Sequence, residues 1–480
     1  MMMRRLQGVD SYLWYNETPT NHMHTLKIAV LDTAASPIPY SAEKFTRILA
    51  ERLHLLPSFR WRLQQTPLAL HHPVWAEDPA FDITRHVFRV TADAPGGPQQ
   101  LHECIGRIAE TPLRRDRPLW EVHLVEGLAN GQVAAVAKIH HAMADGGAAA
   151  NQLLNVTDAV SSALPAISPQ PWCPAPPPSR PRLMLSALQA HPRKARGLPG
   201  LVAKTWRGHR AAARYWHEHR AWRARPWSAP RAFTNGTIDA RRRFATTSTP
   251  LSAVQALRRG TNYTINDIVL AVVTEALRQI LLARHETPSV PLIANVPADS
   301  GLRRDRLFGN SVGLLFTALP VELSDRRQRL QHIHDGVRIA RNARELLGPE
   351  LLDEWLEYIP PSLFARLARL NARSKLLAKL PPMMNVVVSN VRGSSTRLSL
   401  GGYPITNVYS VGPLDIGMAL NITVWSYADR LNFSVLTCPR QIPDPHIVTD
   451  ALQRAFSGLE DAGLSSHGQA LLDISEARAS

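Results

Sequence analysis

The chain has 480 residues, 45% hydrophobic and 20% charged, a balance that fits folded domains and excludes wholesale disorder. That length exceeds one ordinary core, so two domains plus connecting material are expected. A formal net charge of +16 points to a polyanionic partner, either nucleic acid or an anionic membrane surface, and the location of the charge decides between them.

No run reaches the roughly 18 consecutive apolar residues of a membrane-spanning helix. The stretch from Met1 to Asp10 starts basic and turns polar without the apolar core of a secretory signal, so the expected location is cytoplasmic. Cys104, Cys173 and Cys438 are odd in number and far apart, which fits reduced thiols better than a disulfide framework or a zinc cluster.

The first strong element spans 41–56: Ser41 is placed to cap a helix, Phe45, Ile48, Leu49 and Leu53 recur at helical spacing, and Pro57 stops it. Leu101, Ile105 and Ile108 mark a second helix. Glu121–Glu126 and Gln132–His140 read as strands joined around Asn130-Gly131, a strong hairpin signal. The second strand is almost continuously apolar from Val133 to Ile139, so its end places His140 and His141 inside the protein. Gly146 and Gly147 then allow close backbone approach before a helix from about Ala148.

From Ser161 to about Arg231 the chain turns Pro-rich and then Arg-rich, with Trp206, Tyr215, Trp216, Trp222 and Trp227 interleaved. Between Arg180 and Arg231 stand thirteen Arg or Lys against one acid, Glu218, so +12 of the +16 lies here. The segment reads as an interdomain connection, and Gly200–Arg225 as either a basic helix on an anionic membrane surface or a solvated crossover. The second half alternates helix and strand. Thr264 caps an apolar helix, strands are expected at Leu292–Val296, Ser311–Thr317, Asn385–Ser389, Asn421–Tyr427 and Leu431–Cys438, and Ala428–Arg430 closes a hairpin. The expected class is a layered α/β fold. Its divisions are 1–160, a linker at 161–233, a second domain at 234–462 and a loose tail at 463–480.

The chemistry concentrates in His140-His141-Ala142-Met143-Ala144-Asp145-Gly146. A histidine has a reference pKa near working pH, about 6.5, so His141 suits a general base that takes a hydroxyl proton as the oxygen attacks a thioester and passes it to the thiolate. Asp145 is expected to cap the following helix or to form a buried ion pair. His140 alternates to the opposite face, where it shapes the pocket or donates a hydrogen bond. A side chain at Gly146 is expected to crowd the turn. The pairs His71-His72 and His217-x-His219 are expected at the surface, and neither has partners at metal-ligand spacing. Walker, Gly-x-Gly-x-x-Gly and Gly-x-Ser-x-Gly patterns are absent from the sequence.

These residues resemble the bacterial wax ester synthase/diacylglycerol acyltransferases. The resemblance spans roughly 5–460. It includes Asn21-His22-Met23-His24, Pro57-Ser58-Phe59-Arg60, Arg117-Pro118-Leu119-Trp120-Glu121, Asn235-Gly236, Arg241–Ala245, Asn266-Asp267-Ile268-Val269-Leu270-Ala271, Gly309-Asn310, Ser389-Asn390-Val391 and Leu420-Asn421-Ile422. It implies two chloramphenicol-acetyltransferase-like domains with mixed sheets and a tunnel between them, with His141 as base. It also implies a long-chain acyl-CoA as co-substrate rather than a bound cofactor, and a diacylglycerol or long-chain alcohol as acceptor. Pro118, Leu119, Trp120, Asn266 and Asp267 would support the fold and the site. Where members read Val-Ser-x-Arg after Val296-Pro297, this chain has Ala298-Asp299-Ser300-Gly301, with arginine first at Arg303 and Arg304.

Two other readings compete: a condensation-type enzyme taking acyl groups from a carrier protein, which shares the motif, and a non-catalytic lipid-binding homologue. Peripheral contact with the inner membrane or lipid droplets is expected, and no nucleic-acid partner.

Overall fold

The Asn130-Gly131 signal closes its hairpin as expected: Trp120–Glu126 and Gln132–His140 run antiparallel, and the two turn residues take positive φ of 58° and 65°. This computed structural model describes residues 4–161, 172–222, 224–299, 305–374 and 379–461. Numbered in chain order, the strands of its two main sheets are β1 (His24–Asp32), β2 (Val87–Thr91), β3 (Trp120–Glu126), β4 (Gln132–His140), β5 (Arg243–Pro250) and β6 (Leu292–Asn295). They continue with β7 (Phe316–Leu319), β8 (Val386–Arg392), β9 (Ser399–Leu400), β10 (Tyr403–Val411), β11 (Leu420–Tyr427) and β12 (Arg430–Thr437).

One six-stranded sheet has the order β9-β10-β1-β4-β3-β2 and the other β7-β6-β8-β11-β12-β5. Both are mixed: β2 runs parallel to β3, and β8 runs parallel to both β6 and β11, inside otherwise antiparallel ladders. The α/β layering expected from the alternating pattern is therefore present. A feature the pattern did not carry is the route of β10, which comes from the second half of the sequence and pairs with β1 from Leu26 to Leu31. The two halves interlock through that strand.

The helices follow their caps. Ser41 accepts the Lys44 N–H at 3.1 Å and starts α2 (Ala42–Arg52), which follows α1 (Gly8–Asn16). Helix α2 ends a turn earlier than expected because Leu53–Leu55 tighten to a 3-10 turn before Pro57. Next come α3 (Pro98–Glu110), α4 (Gly146–Val156) and α5 (Arg180–Glu218). Thr264 and Asp267 cap α6 (Ile265–Ala283) reciprocally, and the apolar run of α6 lies in the core of the second sheet. Then follow α7 (Arg326–Leu347), α8 (Leu351–Tyr358) and α9 (Pro361–Ser374). No helix among the described residues is long and apolar enough to cross a membrane.

Three expectations need correction. The strand expected at Ser311–Thr317 is split, because Val312–Gly313 pair with Ala298–Asp299 while Phe316–Leu319 pair with β6. The basic helix expected over Gly200–Arg225 begins twenty residues earlier and is a 39-residue helix holding Pro192 and Pro199. Docking outweighs proline's cost here: α5 buries Leu183, Ala187, Leu201 and Ala212, and a Cβ on Gly208 would lie 2.3 Å from the Leu347 carbonyl oxygen. Finally, His71 and His72 are buried, not superficial, with His71 stacked on His191 of α5.

Candidate active site

Strand β4 carries the histidines to the edge of its ladder, where His140 lies across from His24 of β1. The His140 N–H donates to the Leu119 carbonyl at 3.0 Å, and its side chain has no solvent exposure. Its Nδ1 accepts the Ala142 N–H at 3.1 Å, which leaves the proton on Nε2, and Nε2 faces Glu17 Oε2 at 3.6 Å. Arg115 grips the same carboxylate at 2.7 and 3.1 Å while lying 3.8 Å over the Trp14 ring. Burial alone would raise the Glu17 pKa; contact with His140 and Arg115 outweighs it and holds the carboxyl well below the usual range.

His141, one residue on, is half-buried. Its N–H donates to the Met23 carbonyl at 2.7 Å, and its own carbonyl accepts from Asn310 Nδ2 at 2.7 Å. Asn310 Nδ2 also donates to Asp10 Oδ1 at 2.6 Å, and burial pushes the Asp10 carboxyl up to about 8. The His141 Nδ1 is buried without a partner on another residue. Burial lowers the His141 pKa; its own backbone carbonyl and Asp145 oppose the shift, and the Lys27 ammonium adds to it. Lys27 itself is buried on β1, donates to Ser410 Oγ at 2.7 Å, and is lowered to about 8 by burial.

Asp145 takes both structural roles expected of it. One oxygen accepts the Ala148 N–H at 2.9 Å and caps α4; the other accepts the Ser311 N–H at 2.9 Å and pairs with Arg306. Arg306 also bonds the carbonyls of Phe308 and Gly309, and the Gly309 N–H donates to the Met143 carbonyl at 2.7 Å. The histidine turn is thus stitched to residues 306–311. A Cβ on Gly146 would lie 2.7 Å from Val391 Cγ2 on β8, so glycine lets the turn meet the second sheet.

Leu119 and Trp120 are buried beside the motif, and Trp120 donates its indole N–H to the Phe59 carbonyl at 2.7 Å. Asn266 and Asp267 sit apart: Asp267 caps α6 and meets His334 Nδ1 at 2.9 Å. Sequence reasoning missed Glu17, Lys27 and Arg306, none of which belongs to a recognisable spacing, and named Asn310 only within a block. Arg303 and Arg304 lie outside the described residues, as do Ser300 and Gly301. No cluster of three metal-binding side chains occurs among the described residues.

The model of the wax ester synthase/diacylglycerol acyltransferase catalytic domain matches residues 6–269, and that of the family's C-terminal domain matches 308–460. The chain belongs to the wax ester synthase/diacylglycerol acyltransferase family. A Mycobacterium tuberculosis protein named as a candidate diacylglycerol O-acyltransferase is 39% identical over 468 residues, covering 96% of this chain and 97% of the relative. Another from that organism, named likewise, is 35% identical over 441 residues, covering 90% and 92%. Among solved structures, the wax ester synthase/diacylglycerol acyltransferase from Marinobacter aquaeolei VT8 superposes with a TM-score of 0.65 at 25% identity, covering 95% of this chain and 99% of that one. The starter condensation domain of rhizomide synthetase shares the fold, with a TM-score of 0.55 at 16% identity, covering 97% and 94%. The family gives the mixed sheets their place as a two-domain, chloramphenicol-acetyltransferase-like fold.

Proposed function

We propose that this family member transfers the acyl group of a long-chain acyl-CoA to the hydroxyl of a diacylglycerol or long-chain alcohol, with His141 as general base. The observation that carries the reading is the clamp on His141. Both backbone polar groups are fixed, by Met23 and Asn310, while no described residue bonds the ring Nε2. In the tautomer that keeps the proton on the buried Nδ1, Nε2 offers its lone pair. It takes the acceptor's hydroxyl proton as the oxygen attacks the thioester carbonyl. Collapse of the tetrahedral intermediate breaks the C–S bond, the thiolate of CoA takes the proton from Nε2, and the ester leaves. The lowered pKa keeps the ring neutral at neutral pH.

In this mechanism His140 and Asp145 are positioning residues. His140 is spent on Ala142 and Glu17, and Asp145 on α4, Ser311 and Arg306. Peripheral contact with a lipid surface is part of the same reading, supported by the basic outer side of α5. There Trp206 is 62% exposed and Arg210 lies 5.4 Å over its ring.

The test supplies purified protein with labelled palmitoyl-CoA and, in parallel, a diacylglycerol and a long-chain alcohol. Labelled triacylglycerol or wax ester is the expected product, and the ratio of the two sets the acceptor preference. Failure with both, but turnover with acyl groups on a carrier protein, would replace this reading with the condensation-type one.

A further inference from the structure

We propose that the outer face of α9 is a lipid-insertion surface, seated in the apolar layer of a membrane or droplet coat that carries anionic headgroups. The proposal deepens the reading of peripheral lipid contact and rests on it. Helix α9 presents Leu363, Leu367 and Leu370 at 46%, 54% and 57% exposure. Steps of four and three residues put them on one stripe of the helix. Single exposed leucines are ordinary, but an unburied leucine stripe is the pattern of a surface that meets another apolar phase.

The inner side of α9 is accounted for. The Phe364 ring lies 5.3 Å from that of Tyr15 and 6.2 Å from that of Tyr12, both on α1. The leucine stripe is therefore additional to the face that docks the helix. Arg366 and Arg369 are exposed beside it, and residues 361–374 contain three arginines and no acid. That charge repels a second copy of the same helix and complements anionic headgroups, which selects a lipid surface over self-association.

Position gives the surface a purpose. Helix α1, on which α9 sits, also supplies Asp10, which accepts from the Asn310 amide that holds the His141 carbonyl. An acceptor dissolved in the lipid layer under α9 is thus one helix away from the candidate catalytic turn. The basic side of α5 supplies long-range attraction, and α9 supplies insertion.

The experiment uses the full chain and no acyl transfer, so it reports separately from the proposed reaction. In a Cys173→Ser background, where Cys104 and Cys438 are buried, Leu367→Cys is labelled with a polarity-sensitive fluorophore. It is mixed with vesicles of equal parts phosphatidylcholine and phosphatidylglycerol. A blue shift that survives high salt is expected, and an unchanged spectrum on vesicles that bind the protein would overturn the proposal. In co-sedimentation, Leu363→Ser/Leu367→Ser/Leu370→Ser should weaken partition about tenfold or more, and Arg366→Gln/Arg369→Gln should weaken it only at low salt. Full binding by the triple serine variant would overturn insertion by α9 while leaving contact through α5 standing. A blue shift without vesicles that tracks protein concentration, or that vanishes on removal of residues 462–480, would assign the stripe to a second copy or to that segment and overturn the proposal.

Discussion

The turn from His140 to Gly146 and the outer faces of α5 and α9 are opposite kinds of structure. In the turn, each backbone and carboxylate contact is met by a specific partner: Leu119, Met23, Asn310, Ser311 and Arg306 hold it from three separate parts of the chain. On the outer helices, leucines and arginines face outward, with Leu185 and Leu188 each 56% exposed on α5. The first region is built to hold one geometry, and the second to meet a phase whose details do not matter. Substitutions should therefore cost stability in the first and binding in the second.

The largest stability effect is expected where the turn is tied to 306–311. Asp145→Ala removes a helix cap and leaves the Arg306 guanidinium, 15% exposed, without its carboxylate, a loss on the order of 3–5 kcal/mol that denaturant melts would report. If the variant melts with the wild type, the ion pair is ornamental.

Acid should come next. Burial depresses His71 to about 2, and His72 and His102 each to about 4, against an ordinary value near 6.5. The folded chain then binds fewer protons than the unfolded one between those values, so stability is full above about pH 6.5 and falls as pH drops toward 4. The slope is on the order of 1 kcal/mol per pH unit for each histidine that titrates only on unfolding. His71 and His72 lie beneath α5, so Leu substitutions there should flatten the pH dependence measured by denaturant melts.

Gly146→Ala sets a new methyl against Val391, whose branched side chain has little freedom, and should cost about 1–3 kcal/mol. Val391→Ala in the same chain should recover part of it. Smallest of all, changing Arg207, Arg210 and Arg214 on α5 to Gln should move stability by no more than about 0.5 kcal/mol while reducing salt-sensitive binding to anionic vesicles. An equal loss of stability in both regions would erase the contrast between them.

How much of this was legible in the sequence follows the same division. Ser41, Thr264 and Asn130-Gly131 act through neighbours within four residues, and each formed the expected cap or turn. The histidine motif announced itself because its residues are contiguous. Arg306 and Glu17 reach the site through partners 161 and 123 positions away, and Lys27 acts on His141 across 114, separations that no local spacing encodes. The β10 crossover has the same cause: a strand's sheet is chosen by long-range pairing, not by its own pattern. The first twenty residues of α5 were hidden by Pro192 and Pro199, whose local cost the packing against α7 and α8 outweighs.

The central claim is that His141 is the proton-transferring base and His140 its support. The most direct measurement is the pH dependence of kcat/KM for acyl transfer in the wild type, beside the rate of His141→Ala at neutral pH. The account predicts an acid limb with an apparent pKa below 6.5 in the wild type and a loss of about 10²–10⁴ in the variant, with the folded state intact by melting. A folded His141→Ala protein that keeps the wild-type rate would contradict it.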